Sequence, residues 1–268
     1  MSAPAPLIQC ALITGASSGL GREFAIQLAS SAETLVLVAR REPLLSELAE
    51  KLRKAHPALR VEILSCDLAD PAGRNHLLHF LSSGELYPDC LLNNAGMGDY
   101  GEFRTSDWEK TEKMIRLNME SLTHLTHALL PGLIARRGAI LNLSSLASTL
   151  PIPDFAVYAA TKAYVTSFSE ALRLELRDHG VRVLAVCPGP VKTGFGGVAM
   201  RGTSSKLPVQ DAFYVPAEQV VRESLHALYA DRPRIYPGLK VAAAAALIGL
   251  LPLAAVRLMM GRRPRRSE

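Results

Sequence analysis

Short apolar runs alternate with amphipathic stretches along most of this 268-residue chain. Residues 10–14, 34–39, 61–66, 90–93, 139–143 and 181–186 are dense in aliphatic side chains. Several show no polar alternation, as strands covered on both faces require. Between them, residues 21–31, 42–56, 71–83, 106–136 and 155–179 read as helices, with Leu44, Leu45, Leu48 and Leu52 marking one apolar face. Asp70-Pro71 is a helix start, a capping carboxylate followed by a proline for the first turn. His179-Gly180 is a helix stop. Strand and helix repeated this often predict βαβ units, hence an α/β fold: one doubly wound parallel sheet with helices on both faces, in a single domain. Residues 192–216 break the pattern. Gly, Ser, Thr and Pro crowd there, and the place after the sixth strand predicts a loop that covers a substrate.

Composition narrows the class. Net charge is +5, but five arginines and one glutamate lie between Arg257 and Glu268, so the body is close to neutral. That distribution argues against a nucleic-acid-binding body. Cys10, Cys66, Cys90 and Cys187 are far apart, form no C-x-x-C pair and border apolar runs, which reads as buried reduced thiols in a cytoplasmic protein. No basic segment followed by a long apolar stretch opens the chain, so no secretory signal is expected. His124 and His127 have a spacing that could ligate a metal, but no carboxylate nearby completes a site, and no metal is expected.

Candidate chemistry lies at the strand ends. The first strand runs into Gly15-Ala16-Ser17-Ser18-Gly19-Leu20-Gly21, and a helix follows. Glycines let the backbone approach a ligand, and a helix N-terminus offers free N–H groups to a pyrophosphate. An acidic residue about 20 positions further on would favour NAD through the ribose 2′-hydroxyl. This chain has Arg40-Arg41 after the second strand, which suits a 2′-phosphate and favours NADP(H) over NAD(H). Tyr158 and Lys162 are four residues apart, on one helical face. A phenol titrates near 10, and an adjacent ammonium is expected to lower that value toward neutrality.

These residues together resemble the short-chain dehydrogenase/reductase family, in its shorter single-domain branch. The blocks that carry the resemblance are Thr14-Gly-x-x-x-Gly19-x-Gly21, Asp67, Asn93-Asn94-Ala95-Gly96, Asn118, Ser145, Tyr158-x-x-x-Lys162 and Pro188-Gly189, spanning residues 10–193. The resemblance implies a Rossmann-type sheet, with residues 1–240 as the dinucleotide-binding and catalytic domain. It implies Tyr158 as general acid in carbonyl reduction and general base in alcohol oxidation. Lys162 would lower the pKa of Tyr158 and hold the nicotinamide ribose. Ser145 would hydrogen-bond the substrate oxygen, and Asn118 would bind a water that relays protons from Lys162. Gly15, Ser17, Ser18, Gly19, Leu20 and Gly21 would cradle the cofactor's phosphates, with Ser17 and Arg40 flanking the 2′-phosphate. Asp67 and Leu68 would meet the adenine. Asn94, Ala95 and Gly96 would pass the ribose, and Pro188, Gly189, Val191 and Thr193 the nicotinamide side.

A mostly apolar pocket of Leu146, Ala147, Leu150, Phe155, Pro190 and Phe195, with Ser145, is expected to take a hydrophobic ketone, aldehyde or secondary alcohol. The alternative is a non-catalytic NADP(H)-binding sensor or scaffold; a sugar-nucleotide epimerase would need a larger C-terminal domain. The broad apolar faces of 106–136 and 155–179 fit a homodimer or homotetramer, with Trp108 in the packing or the interface. Residues 241–256 carry no charge and precede Arg257, Arg262, Arg263, Arg265 and Arg266. That segment is short for a membrane span. It fits a peripheral contact with anionic lipid through 241–266, a lid over substrate, or a contact between subunits.

Overall fold

The computed structural model of the protein describes residues 8–200 and 213–261. Seven parallel strands form one sheet: β1 (Ile8–Thr14), β2 (Ala32–Ala39), β3 (Arg60–Ser65), β4 (Cys90–Asn93), β5 (Ala139–Leu143), β6 (Arg182–Val186) and β7 (Arg234–Ile235), in the order β3-β2-β1-β4-β5-β6-β7. The order reverses between β1 and β4. A crevice opens there at the carboxyl ends of the strands, where a ligand can enter without breaking the ladder.

The helices are α1 (Gly19–Leu28), α2 (Glu42–Ala55), α3 (Pro71–Ser83), α4 (Trp108–Ile115), α5 (Leu122–Ala135), α6 (Ala156–Glu175), α7 (Phe195–Ala199), α8 (Ala217–Tyr229), α9 (Leu239–Leu250) and α10 (Leu253–Gly261). Both sheet faces are covered. In β2, Leu35 and Leu37 join one apolar cluster while Val36 and Val38 join the other, and all four are fully buried. This two-sided burial is why the strands read as unbroken apolar runs. Each such side chain contributes about 1.5–3 kcal/mol relative to exposure.

Several expected boundaries move. The stretch expected as one helix over 106–136 begins at Trp108, because Asp107 caps the N–H groups of Glu109 and Lys110. It then widens into a π-helical turn, Arg116–Ser121, before α5. Trp108 stands 63% exposed and is not a core packing residue. The 155–179 stretch ends as α6, then a 3₁₀ turn, and stops at Gly180 with φ 71. The apolar run 241–256 forms parts of two helices meeting at a 118° bend. Within 192–216, residues 201–212 lie outside the described residues. The described flanks are ordered by α7 and by a bridge between Val191 and Val215. The helix α8 and strand β7 had no counterpart in the sequence pattern.

All four cysteines are free thiols, three of them buried. Burial pushes Cys10 and Cys90 up to about 12 and Cys66 to about 11, so all three are poor nucleophiles.

A buried polar chain stitches two neighbouring strands on one side of the reversal. Asn93 Nδ2 donates to Asn142 Oδ1 at 2.9 Å and to Thr126 Oγ1 at 3.0 Å, and Asn142 Nδ2 donates to Ser169 Oγ at 2.9 Å. This chain ties β4 and β5 to α5 and α6, the elements that carry the site. Asn142→Ala would leave one of the two Asn93 amide hydrogens unpaired in the interior. It should destabilise the fold by about 2–3 kcal/mol, read as a lower urea midpoint at unchanged slope.

Candidate active site

The glycine turn after β1 is held from the opposite side of the crevice. Thr14 Oγ1 donates to Leu92 O and accepts from the backbone N–H groups of Asn94 and Ala95. Asn94 Nδ2 donates to Thr14 O at 2.8 Å and Gly15 O at 3.3 Å. Asn94 therefore clamps the turn. Gly15 has φ 70, and a Cβ there would lie 2.8 Å from Asn94 Nδ2; a Cβ on Gly21 would lie 2.3 Å from Gly15 O. The third glycine thus serves the packing of α1 against the turn, and it does not line the cleft.

From this turn a cleft of about 1310 Å³ runs along the strand ends to α6. Of the expected cofactor residues, Gly15, Ser17, Ser18, Gly19, Leu20, Arg40, Asp67, Leu68, Asn94, Ala95, Gly96, Pro188, Gly189, Val191 and Thr193 line it. Ser145, Leu146, Ala147, Leu150, Phe155, Tyr158, Lys162, Pro190 and Phe195 line its far end. Three further residues stand out, of which the sequence offered Arg41 only as the neighbour of Arg40 and did not offer the other two. Arg41, rather than Arg40, lies against the serines, its Nη2 donating to Ser17 Oγ at 3.1 Å and Ser18 Oγ at 2.7 Å. Arg40 points to Asp67 at 3.9 Å. Lys113 binds the same carboxylate at 2.6 Å. Burial raises the pKa of Asp67, but the hydrogen bonds from Lys113 and Ala69 and the nearby Arg40 outweigh it and hold the carboxyl below its usual value. The third residue is Arg74, buried under the Asp67 turn, where Nη1 donates to Leu68 O and Ala69 O. The signal for Arg41 was already in the Arg40-Arg41 pair. Arg74 gave none, since a helical arginine is normally solvated.

At the far end, Tyr158 is buried against aromatic neighbours. Its ring stacks on Phe155 at 4.2 Å and meets Phe195 at 5.5 Å, while Tyr100 packs edge-on to Phe155. Ser144 is occupied elsewhere: its hydroxyl donates to Lys162 O at 2.8 Å and contacts Thr166 Oγ1. Ser145 faces the cleft. Its oxygen accepts from Ala147 N at 3.1 Å, which leaves its O–H as a donor on the side of the Tyr158 phenol, whose pKa it pulls down. Lys162 Nζ donates to Leu143 O at 2.7 Å and lies 5.7 Å from the centre of the tyrosine ring.

The proton arithmetic differs from the expectation. Burial pushes Tyr158 up to about 12, against the hydrogen bond from Ser145, which pulls the other way. Burial pulls Lys162 down to about 8. The reason is physical. The ammonium is turned onto the Leu143 carbonyl, and loss of water penalises both charged forms. As the protein stands, Tyr158 holds its proton at neutral pH.

Asn118 does not line the cleft. It sits in the π-helical turn, buried, with Oδ1 accepting from Met97 N and Nδ2 donating to Met97 O and Thr161 Oγ1. Both amide hydrogens are used, so its evident work is to brace the loop after β4 against α6. A lone pair on Oδ1 is what remains for a water. A Cβ on Gly96 would fall 3.2 Å from that oxygen and 3.4 Å from Lys162 Nζ, so glycine keeps this corner open.

Comparison with known proteins agrees with the geometry. The family profile described as short chain dehydrogenase matches residues 9–201. A sulfoacetaldehyde reductase 2 from Chromohalobacter salexigens is 36% identical over 209 residues, covering 76% of this chain and 79% of that protein. A very-long-chain 3-oxoacyl-CoA reductase from Laccaria bicolor is 31% identical over 227 residues, 83% of this chain and 66% of its own length. The solved short-chain dehydrogenase from Sphingobium yanoikuyae in complex with NADPH superposes with a TM-score of 0.80 at 32% identity, covering 97% of this chain and 98% of that one. With the sheet order, the clamped glycine turn and the Ser145–Tyr158–Lys162 corner, these matches show that the chain belongs to the short-chain dehydrogenase family.

Proposed function

We propose that this protein is an NADP(H)-dependent oxidoreductase that interconverts a hydrophobic ketone or aldehyde and its alcohol. The observation that carries the reading is the convergence of Ser145, Tyr158 and Lys162 at one end of a cleft whose other end is the clamped glycine turn. The dinucleotide fits this cleft. Gly15 and Gly19, both at positive φ, bring the turn's backbone to the cleft, and Arg41 with Ser17 and Ser18 offers donors to a 2′-phosphate. The NADPH-bound relative at 32% identity supports the same choice. When bound, NADPH supplies the hydride.

The chain's own residues do the rest. Ser145 donates its O–H to the carbonyl oxygen and so stabilises the charge that develops there. Tyr158, protonated because it is buried, gives its phenolic proton to that oxygen. Lys162 sets a positive charge beside this corner, and the Leu143 carbonyl fixes its direction. Asn118 is a positioning residue. Tyr100, Ile152, Phe155 and Phe195 surround the reacting end without a formal charge, which favours a bulky apolar carbonyl substrate.

Three measurements test this. NADPH oxidation with a panel of hydrophobic ketones and aldehydes should show turnover. Tyr158→Phe should lower kcat by about 10²–10⁴-fold with little change in NADPH affinity, and a fully active variant would overturn the role. Fluorescence titration should show NADPH binding tighter than NADH. Arg41→Ala should weaken NADPH by about 10–100-fold, as loss of a charge-assisted contact does, and leave NADH nearly unchanged.

The third measurement is a pH profile. Reduction needs a proton on Tyr158, kept up to about pH 12, and a charge on Lys162, lost as pH rises through about 8. The kcat/KM for reduction should therefore fall above about pH 8. In Lys162→Arg the side chain does not titrate there. That limb should vanish even if the residual rate is low; its persistence would assign the titration to another group.

A further inference from the structure

Six of the ten large apolar side chains that stand in solvent among the described residues belong to α9, α10 and the bend between them: Leu239, Leu247, Leu250, Leu251, Leu258 and Met259. The helix α9 is apolar on both sides. Its inner side seats Val241 and Ala245 on the body, with Val241 against Gly189, and Ala244 lines the cleft. Its outer side carries Leu247 and Leu250, the latter 81% exposed. A helix apolar all round needs a second apolar partner. The only charged residues of the two helices are Lys240 and Arg257, both basic, and Arg262, Arg263, Arg265 and Arg266 follow directly in sequence.

No single helix among the described residues is long and apolar enough to cross a membrane, and α9 and α10 are bent by 118°. Twelve residues span only about 18 Å of helix, short of a hydrocarbon core of about 30 Å. Such a bent pair, with its leucines on an outer side, suits the headgroup boundary.

We infer that α9 and α10 form a docking surface for an anionic membrane, with leucines entering the acyl boundary and the arginine run meeting acidic headgroups. Charge complementarity selects lipid: a protein partner would need no arginine run next in sequence to the greasy helices, whereas an interfacial helix on anionic lipid uses that pairing. Because α9 also lines the cleft, docking sets the cleft beside the bilayer. Substrate can then arrive from the lipid phase.

The test is sedimentation of the full chain with vesicles of phosphatidylcholine alone or with about 30% phosphatidylglycerol. It needs no turnover, so it can fail while the proposed reaction stands. The expected result is at least tenfold more binding to the anionic vesicles, lost as salt rises from about 0.1 to 0.5 M. Leu247→Glu with Leu250→Glu should abolish binding while the thermal transition and ketone turnover stay those of the parent. Replacing Arg262, Arg263, Arg265 and Arg266 by serine should remove the preference for anionic lipid. Parent protein that ignores both vesicles, or a Leu247→Glu/Leu250→Glu variant that binds as the parent does, would overturn the inference. So would a halved mass of that variant in light scattering with no vesicle binding by the parent, which would make the face a subunit contact.

Discussion

The hydrogen bond from Lys162 Nζ to the carbonyl of Leu143 is the contact on which the site depends. An ammonium group buried at 4% exposure is costly to desolvate. It persists here because β5 ends at Leu143 and turns its carbonyl, no longer needed by the ladder, toward α6. One hydrogen bond thus couples the sheet to the helix that carries Tyr158. It also sets the electrostatics: with the ammonium aimed at the carbonyl, burial dominates both groups, keeping the proton on the phenol and loosening it on the lysine.

The surrounding polar groups keep that geometry. Ser144 ties the backbone of Lys162 to the end of β5, Asn118 ties the loop at Met97 to Thr161, and Asn93 and Asn142 bridge the strands beneath. Each is buried, and each leaves an unpaired group behind if its partner is lost. The π-helical turn at Arg116–Ser121 belongs to this frame, because the extra residue in the turn is where Asn118 projects inward. A regular helix over 106–136 would carry the following residues on another face.

The same economy appears at the C-terminal end. The helix α9 closes one side of the cleft with Ala244 and, a turn away, turns leucines outward. A single apolar helix thereby connects the interior of the site with the outer surface.

The order of strands and helices and the candidate chemistry could be read along the chain, because they depend on local patterns. Buried strands need unbroken apolar runs, glycines mark the turn after β1, and Tyr158 and Lys162 share a helical face through spacing alone. Arg74, Arg41 and the Leu143 carbonyl were not legible in the same way. Their roles come from partners 5 or 6, 23 or 24, and 19 residues away; the Arg40-Arg41 pair marked the place but not which arginine serves it, and nothing in sequence marks the other two. The sign of the proton shifts lay furthest out of reach. Spacing alone says that an ammonium lies near a phenol. Whether the cation or the loss of water prevails depends on how deeply both are buried and where the ammonium points, and only packing across the whole sheet decides that.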